Sequence, residues 1–497
     1  MRRVTRREAL VSGAAGLGAI ALSGCGGTAR SSSGSTLEST WVDPTGDGQL
    51  VIGPGEPLID RLELGGRSRA TGVLATLAHV TDAHVLDASS PARVTFLNRL
   101  GAPFESTFRP HETLTAHVLA GALAAVRAVR PSLVIQGGDL IDNDQSNELA
   151  IALSVVRGGG VRPGSGPDGY YGVQLPSDAD PFYYRPDIDA PRHPGLLHQA
   201  VRPFRSSGVG SAWCPVLGDH DALVAGELPP SDLTESLAVG DRALWDLPRG
   251  IALPPGLKLT TGPTSSPDGP PVPALVNTLL SEALRGPTVR VPADQGRTEM
   301  SFADVVARLR ASAAPISASA GSLDYTIDLG PRLRMIVLDL VRREGGSGGL
   351  VTSNQPGWLA SQLHEAGDRW VIVVSHQPLA SSEGGDSLLA LLDSAPRVIA
   401  TLSGHTHRNL IEPRADYWQI STASLIDYPQ QARAVRVVET AGGGVAIQTW
   451  MLDHVFPGPL GTISRELSYL DAQGGRPQGF AGGRLDRNVT LYRHAVT

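Results

Sequence analysis

The groups in this 497-residue chain that are most able to do chemistry are five short clusters of aspartate and histidine. Each cluster directly follows an apolar run that is rich in Val, Ile and Leu. Runs of this length and composition predict buried β-strands, and open α/β sheets place their sites where strands end. The sequence therefore predicts one dispersed metal site. The clusters are Asp82-Ala83-His84, Gly138-Asp139, Gly218-Asp219-His220-Asp221, His376, and Gly404-His405-Thr406-His407.

The spacing within these clusters suits ions held by mixed nitrogen and oxygen donors. In Asp82-x-His84 both side chains lie on the same side of an extended segment, so a carboxylate and an imidazole can bind one ion together. Asp139, on a tight turn, is placed to bridge two ions. Asp219 and His376 would bind a second ion. His405 and His407 would each supply one imidazole, one to each ion. Such a donor set favours Zn, Mn, Fe or Co over Ca or Mg.

The order and local form of the clusters resemble the calcineurin-like metallophosphoesterase superfamily, whose pattern runs D-x-H, G-D, G-N-H-E/D, H and G-H-x-H. The resemblance covers residues 73–452. Shorter stretches, 90–94 and 421–424, are similar to an exported, mainly actinobacterial subgroup. The resemblance implies that His220 protonates the leaving group or steadies the transition state. It also implies one ion held by Asp82, His84, Asp139 and His407, and a second held by Asp139, Asp219, His376 and His405.

The resemblance implies hydrolysis of phosphomonoesters or phosphodiesters. Two divalent ions about 3.5 to 4 Å apart lower the pKa of a bridging water, orient a phosphoryl group and neutralise charge during in-line displacement. The alternative is a cell-envelope binding lipoprotein that keeps this scaffold without turnover.

Two further aspartates carry specific expectations. Asp142 occupies the position that, in phosphoprotein phosphatases of the superfamily, carries an Asp orienting the acid histidine, so we predict a hydrogen bond between Asp142 and His220. The alternative is that Asp142 caps the following helix. Asp219 stands where the superfamily has Asn, and its extra negative charge should bind metal more tightly while making the ions less electrophilic. Compared with a relative that has Asn at this position, we expect slower turnover or a preference for monoanionic diesters.

The elements around the clusters predict an α/β fold of two facing mixed β-sheets flanked by helices, a four-layer αββα arrangement with long loop insertions. The segments at 417–425, 434–439 and 445–452 lack helices between them and predict a second, antiparallel sheet. The predicted strands before the clusters are 73–80, 133–136, 213–217, 370–375 and 397–403, with further strands at 325–329 and 334–340 and helices at 111–129 and 355–366.

The organisation predicted along the chain is one large domain with appendages. Residues 26–70 are rich in Ser, Gly and Thr and predict a flexible tether. The metallophosphoesterase domain would span 71–455, with inserts at about 157–205 and 222–321, and residues 456–497 would form a C-terminal extension. The inserts would shape the entrance to the site. Tyrosines in the first insert could line the site or pack within the loop.

The first 25 residues resemble a twin-arginine export signal that ends in a lipobox. Arg6 and Arg7 precede an apolar stretch at 9–22 that is too short for a permanent membrane span, and a Leu-Ser-Gly triplet precedes Cys25. We expect export and a lipid anchor on Cys25 at the outer face of the cytoplasmic membrane; the alternative is a plain cleaved signal. Two cysteines exclude a disulfide framework if Cys25 carries lipid. The net charge of −7 disfavours nucleic acid as a partner.

Overall fold

The computed structural model describes residues 33–100, 104, 107–175, 177, 182–249, 273–316, 321–474 and 480–496. The predicted export signal and Cys25 lie outside these residues.

Two mixed sheets form the centre of the fold. The seven-stranded sheet has the spatial order β3 (Ile59–Arg61), β19 (Val489–Arg493), β18 (Val445–Asp453), β17 (Gln431–Thr440), β4 (Ala70–Val80), β5 (Leu133–Gln136) and β8 (Trp213–Pro215). The six-stranded sheet has the order β11 (Tyr325–Asp328), β12 (Leu333–Leu338), β13 (Trp370–Ser375), β14 (Val398–Ser403), β16 (Tyr417–Ser421) and β15 (Leu410–Arg414). Strands β4, β5 and β8 run parallel, as do β12, β13, β14 and β16.

Alternation along the strands shows that the two sheets face each other. In β12 the side chains of Met335 and Val337 enter the core shared by the two sheets, whereas Ile336 and Leu338 pack against helices on the opposite face. This is the period-two pattern of a sheet that is buried on both faces. The predicted αββα fold class is confirmed.

Helices cover the outer faces of both sheets. One of them, Thr115–Val129, is mostly buried and ends where Arg130 adopts a left-handed φ of 52° and Pro131 follows, a common helix stop. Among the described residues, Glu112–Val129 is the segment that is long and apolar enough to cross a membrane, and 78% of it is buried inside the fold. The helices are α1 (Thr115–Val129), α2 (Ser146–Arg157), α3 (Leu196–Ala200), α4 (Asp232–Ala238), α5 (Pro273–Ala283), α6 (Phe302–Ser312), α7 (Gln355–Ala366), α8 (Gly385–Asp393) and α9 (Pro459–Gly474).

The two inserts contain short elements of their own. The first is closed at its base by a ribbon of β6 (Gly159–Val161) and β7 (Phe204–Ser206), and the described part of the second contains α4 to α6 with a ribbon of β9 (Arg242–Leu244) and β10 (Thr288–Arg290). The tyrosines of the first insert pack within the loops: Tyr183 is buried and donates a hydrogen bond of 2.7 Å to the carbonyl of Trp245.

The prediction of a flexible tether over residues 26–70 is wrong for its described part. A ribbon of β1 (Ser39–Val42) and β2 (Val51–Pro54) forms there, and β3 pairs with β19 in the seven-stranded sheet. Thr36 is buried, and its backbone N–H donates to the carbonyl of Met451. The cause is long-range pairing, which the Ser- and Gly-rich composition does not reveal.

The C-terminal part also departs from expectation. Residues 456–497 contribute α9 and β19 to the domain rather than an appended extension. The expected second antiparallel sheet is divided between the two sheets: β16 joins the six-stranded sheet, whereas β17 and β18 join β4. Arg433 in β17 is paired with His79 in β4. These residues are far apart in the sequence, so local patterns could not predict this pairing.

Candidate metal centre

The parallel strands of both sheets bring the five clusters to one rim. Each cluster follows the end of β4, β5, β8, β13 or β14. Five of the seven predicted ligands have a left-handed φ between 41° and 64°, which non-glycine residues rarely adopt. Such strain is found where the surrounding structure imposes it, often at functional sites. The five are Asp82, His84, Asp139, His405 and His407.

One group of ligand atoms is formed by Asp82, His84 and His407. His407 Nε2 lies 3.3 Å from Asp82 Oδ1 and 3.3 Å from His84 Nε2. Two ligand atoms bound tetrahedrally to one ion at about 2.1 Å lie about 3.4 Å apart. All three side chains are buried. The group therefore has the dimensions of an ion site.

The second group is formed by Asp139, Asp219, His376 and His405. Asp219 Oδ1 lies 3.3 Å from both His376 Nε2 and His405 Nδ1. His376 Nε2 lies 3.0 Å from Asp139 Oδ2. These four side chains are also buried.

Asp139 lies between the two groups. Its Oδ2 atom is 3.0 Å from His376 Nε2 and 3.6 Å from His84 Nε2, so the same carboxylate faces a histidine of each group. Its other oxygen accepts a hydrogen bond of 3.0 Å from the backbone N–H of His220. This is the arrangement that a ligand shared between two ions requires.

Hydrogen bonds outside the two groups orient the imidazoles of His84 and His407. His84 Nδ1 lies 3.1 Å from Asp142 Oδ1, and His407 Nδ1 lies 2.6 Å from Asp427 Oδ2. A neutral imidazole that donates through Nδ1 has only a lone pair at Nε2. Two bare nitrogens facing each other at 3.3 Å repel, so this spacing calls for an ion between them or, without metal, a proton on one of them.

His376 shows the same arrangement in the second group. Its Nδ1 donates a hydrogen bond of 2.8 Å to the carbonyl of Gly137, which aims Nε2 at two carboxylates. Three ligand atoms here are buried without a hydrogen-bond partner, namely Asp219 Oδ2, His376 Nε2 and His405 Nδ1. Metal-binding histidines commonly have their second nitrogen held in this way. The residues present fit two ions.

The concentrated charge perturbs the acid–base properties of these side chains. Burial lowers the pKa of His407, but Asp82 and Asp427 outweigh it and raise that pKa to about 9. Burial likewise lowers the pKa of His376, and the Asp139 carboxylate raises it well above its usual value. The pKa of Asp219 is held well below its usual range, against burial, by His405. The pocket thus favours positive charge.

His220 lies beside the second group, with its Nε2 atom 4.0 Å from Asp219 Oδ2. Its Nδ1 donates a hydrogen bond of 2.7 Å to the main-chain carbonyl of Asp142, whereas the Asp142 carboxylate is 3.9 Å away. The predicted hydrogen bond between Asp142 and His220 is therefore made by the Asp142 backbone, and the Asp142 carboxylate contacts His84 instead of orienting His220. The helix that follows Asp142 starts at Ser146 with Gln145 as its N-terminal cap residue, so the alternative role for Asp142 is not seen.

Several residues in the site had no signal in the sequence. Asp427 holds His407 and is itself held by Arg109, whose Nε donates at 2.9 Å. The Gln377 amide donates at 2.9 Å to Asp219 Oδ1. Gly226 has a φ of 70°, and a Cβ there would lie 2.5 Å from His220 Cδ2. Gln377 is the exception among these residues, because it stands next to the predicted ligand His376 in the sequence.

Searches of protein-family models and of curated proteins found no match. Solved structures similar to this chain include a dimetal phosphatase from Danio rerio, at 12% identity and a TM-score of 0.37 over 77% of this chain and 99% of that one. GAP50, the anchor in the inner membrane complex of Plasmodium, has 11% identity and a TM-score of 0.27 over 76% and 84%. A putative 5'-nucleotidase from Staphylococcus aureus has 14% identity and a TM-score of 0.20 over 30%, and this chain spans 32% of it.

Proposed function

We propose that this protein hydrolyses phosphate esters at a centre that holds two divalent metal ions. The observation that carries the proposal is the pair of ligand groups on either side of Asp139, in which the Nε2 atoms of His84 and His407 face each other at 3.3 Å. Ions bound there would supply positive charge to a phosphoryl group and acidify water. We propose Mn, Zn, Fe or Co from the mixed nitrogen and oxygen donors.

The protein's own residues have separate tasks in this reaction. The seven ligands, Asp82, His84, Asp139, Asp219, His376, His405 and His407, hold the ions. His220 protonates the oxygen of the departing alcohol through Nε2, because its Nδ1–H is bound to the carbonyl of Asp142. The Asp142 carboxylate positions His84. Burial of these groups strengthens each electrostatic contact.

The test is metal-dependent turnover by the purified protein. Chromogenic phosphomonoesters and phosphodiesters are assayed after chelation and after addition of Mn²⁺ or Zn²⁺, with metal analysis of the protein as isolated. We expect release that requires metal and is lost in Asp139→Ala. The control is His364→Ala, a substitution on the exposed face of α7 that should leave release unchanged. Metal binding without release of any ester would favour the alternative, a cell-envelope binding protein.

We also propose export by the twin-arginine route and a lipid anchor on Cys25, with the subgroup resemblance, the arginine pair and the lipobox as support. A Cys25→Ala variant should move from the membrane fraction to the soluble exported fraction. Recovery of both forms in the same fraction would contradict the anchor.

A further inference from the structure

A small cleft that opens to solvent adjoins His220. One wall comes from the segment between β4 and α1, and another comes from α5. Both walls are mainly hydrocarbon, because the side chains they present include Val94, Leu97, Phe104 and Val276. These four also belong to one buried apolar cluster, so the walls are held by packing.

The charged residues of the cleft occur in both signs. Arg93 binds both carboxylate oxygens of Glu112, and Arg109 donates to Asp427. The cleft is also lined by two acids, Asp142 and Glu227. An arginine whose charge is matched by a buried carboxylate offers little to a second anion. The cleft therefore does not favour an alcohol that carries further phosphates or carboxylates.

The position of His220 relates this cleft to the reaction. His220 lines the cleft and is also the residue assigned to protonate the departing oxygen. An alcohol that receives its proton from His220 must leave on the side of that imidazole. The hydrocarbon walls are then the surface that the alcohol contacts.

We propose that the cleft binds the alcohol part of the substrate and that the substrates are phosphate esters of apolar alcohols, aliphatic or aromatic. This rests on the proposed function. Leu97, Phe104 and Val276 are the residues that determine specificity. Each methylene buried against them should raise kcat/KM roughly fourfold.

A series of linear alkyl phosphates from ethyl to hexyl tests the proposal, because the alcohols have similar acidity and differ chiefly in apolar length. We expect kcat/KM of the wild-type protein with bound metal to rise with chain length. Leu97→Asn and Val276→Thr should flatten that slope. Leu284→Asn, a matched change at an exposed leucine just beyond α5, should keep it.

The wild-type slope decides the outcome even where a variant does not fold. Hydrolysis at a rate independent of chain length, or falling with it, would overturn the cleft assignment while the proposed function stands. A rising slope that Leu97→Asn and Val276→Thr both leave intact, in folded proteins, would also overturn it. Hydrolysis of no ester at all would overturn both proposals.

Discussion

The Nδ1 atom of His407 donates a hydrogen bond of 2.6 Å to Oδ2 of Asp427, and both side chains are buried. The bond orients the imidazole and leaves Nε2 facing Asp82. Arg109 binds the same carboxylate, which fixes it in turn. Asp427 thus positions His407. The sequence predicts His407 as a ligand but gives no sign of Asp427.

Asp427→Ala should weaken metal binding by about 10- to 100-fold, the usual cost of losing a residue that orients a ligand. The measurement is titration of metal-free protein with Zn²⁺ against a chelating indicator. Asp393→Asn is the control, because Asp393 also pairs with an arginine, Arg414, but in a half-exposed position. Wild-type affinity in a folded Asp427→Ala protein would rule out this role.

Asp142→Ala should act through the metal rather than through proton donation. Its carboxylate contacts His84, whereas His220 is held by the Asp142 carbonyl, which survives the substitution. We expect metal affinity to fall roughly tenfold or more and kcat to recover at saturating metal. His220→Ala should lose about 10²- to 10⁴-fold in kcat, which metal does not restore. A loss in Asp142→Ala that saturating metal leaves unrepaired would contradict the assignment.

Sequence patterns were sufficient to predict those elements whose structure depends on neighbouring residues in the chain. β5 and β13 occupy the predicted residues, because each is a short β-branched run next to a polar turn. The seven predicted ligands meet because the parallel strands before them end at one rim. Local patterns could not report contacts between distant residues. Asp427 acts on a ligand twenty positions earlier in the chain, and Arg109 reaches it from a different segment.

Asp219→Asn should lower metal affinity at least about tenfold, because a full charge among buried ligands is replaced by a neutral amide. Asp219 Oδ1 contacts His376, His405 and the Gln377 amide, so the substitution also changes the charge that both imidazoles face. At saturating metal, kcat on phosphomonoesters should rise relative to phosphodiesters. The measurement combines metal analysis with kcat on both ester types, and unchanged values in both would refute the expectation.

Glu299, which lies outside the metal centre, should make the stability of the folded protein depend on pH. Burial raises its pKa from 4.5 to about 7; the Thr234 hydroxyl, which donates at 2.9 Å, opposes the rise, and Glu235 adds to it. A carboxyl whose pKa is raised by folding stabilises the folded state while protonated. This contribution to the free energy of unfolding is complete below pH 4.5 and is lost as the pH rises to about 7.

The measurement for Glu299 is the melting temperature of wild type and Glu299→Gln between pH 4 and 8. The wild-type melting temperature should fall relative to the variant across that window. Glu412→Gln, a change at an exposed glutamate, should follow the wild type at every pH. Parallel curves for wild type and Glu299→Gln would show that Glu299 titrates normally.

Gly226→Ala should impair turnover as well as stability. The left-handed φ of 70° makes alanine cost about 1 kcal/mol, and its Cβ would lie 2.5 Å from His220 Cδ2 and 2.6 Å from Asp219 Oδ2. The loop must therefore shift, and kcat should fall about tenfold or more because His220, the proposed proton donor, moves. Gly46→Ala is the matched control, since its φ is also 70° but nothing lies within 4 Å of the added carbon. If both variants lose the same stability and turnover falls only in Gly226→Ala, the effect comes from contact with His220. Equal turnover in both variants would show that Gly226 is required only for its backbone conformation.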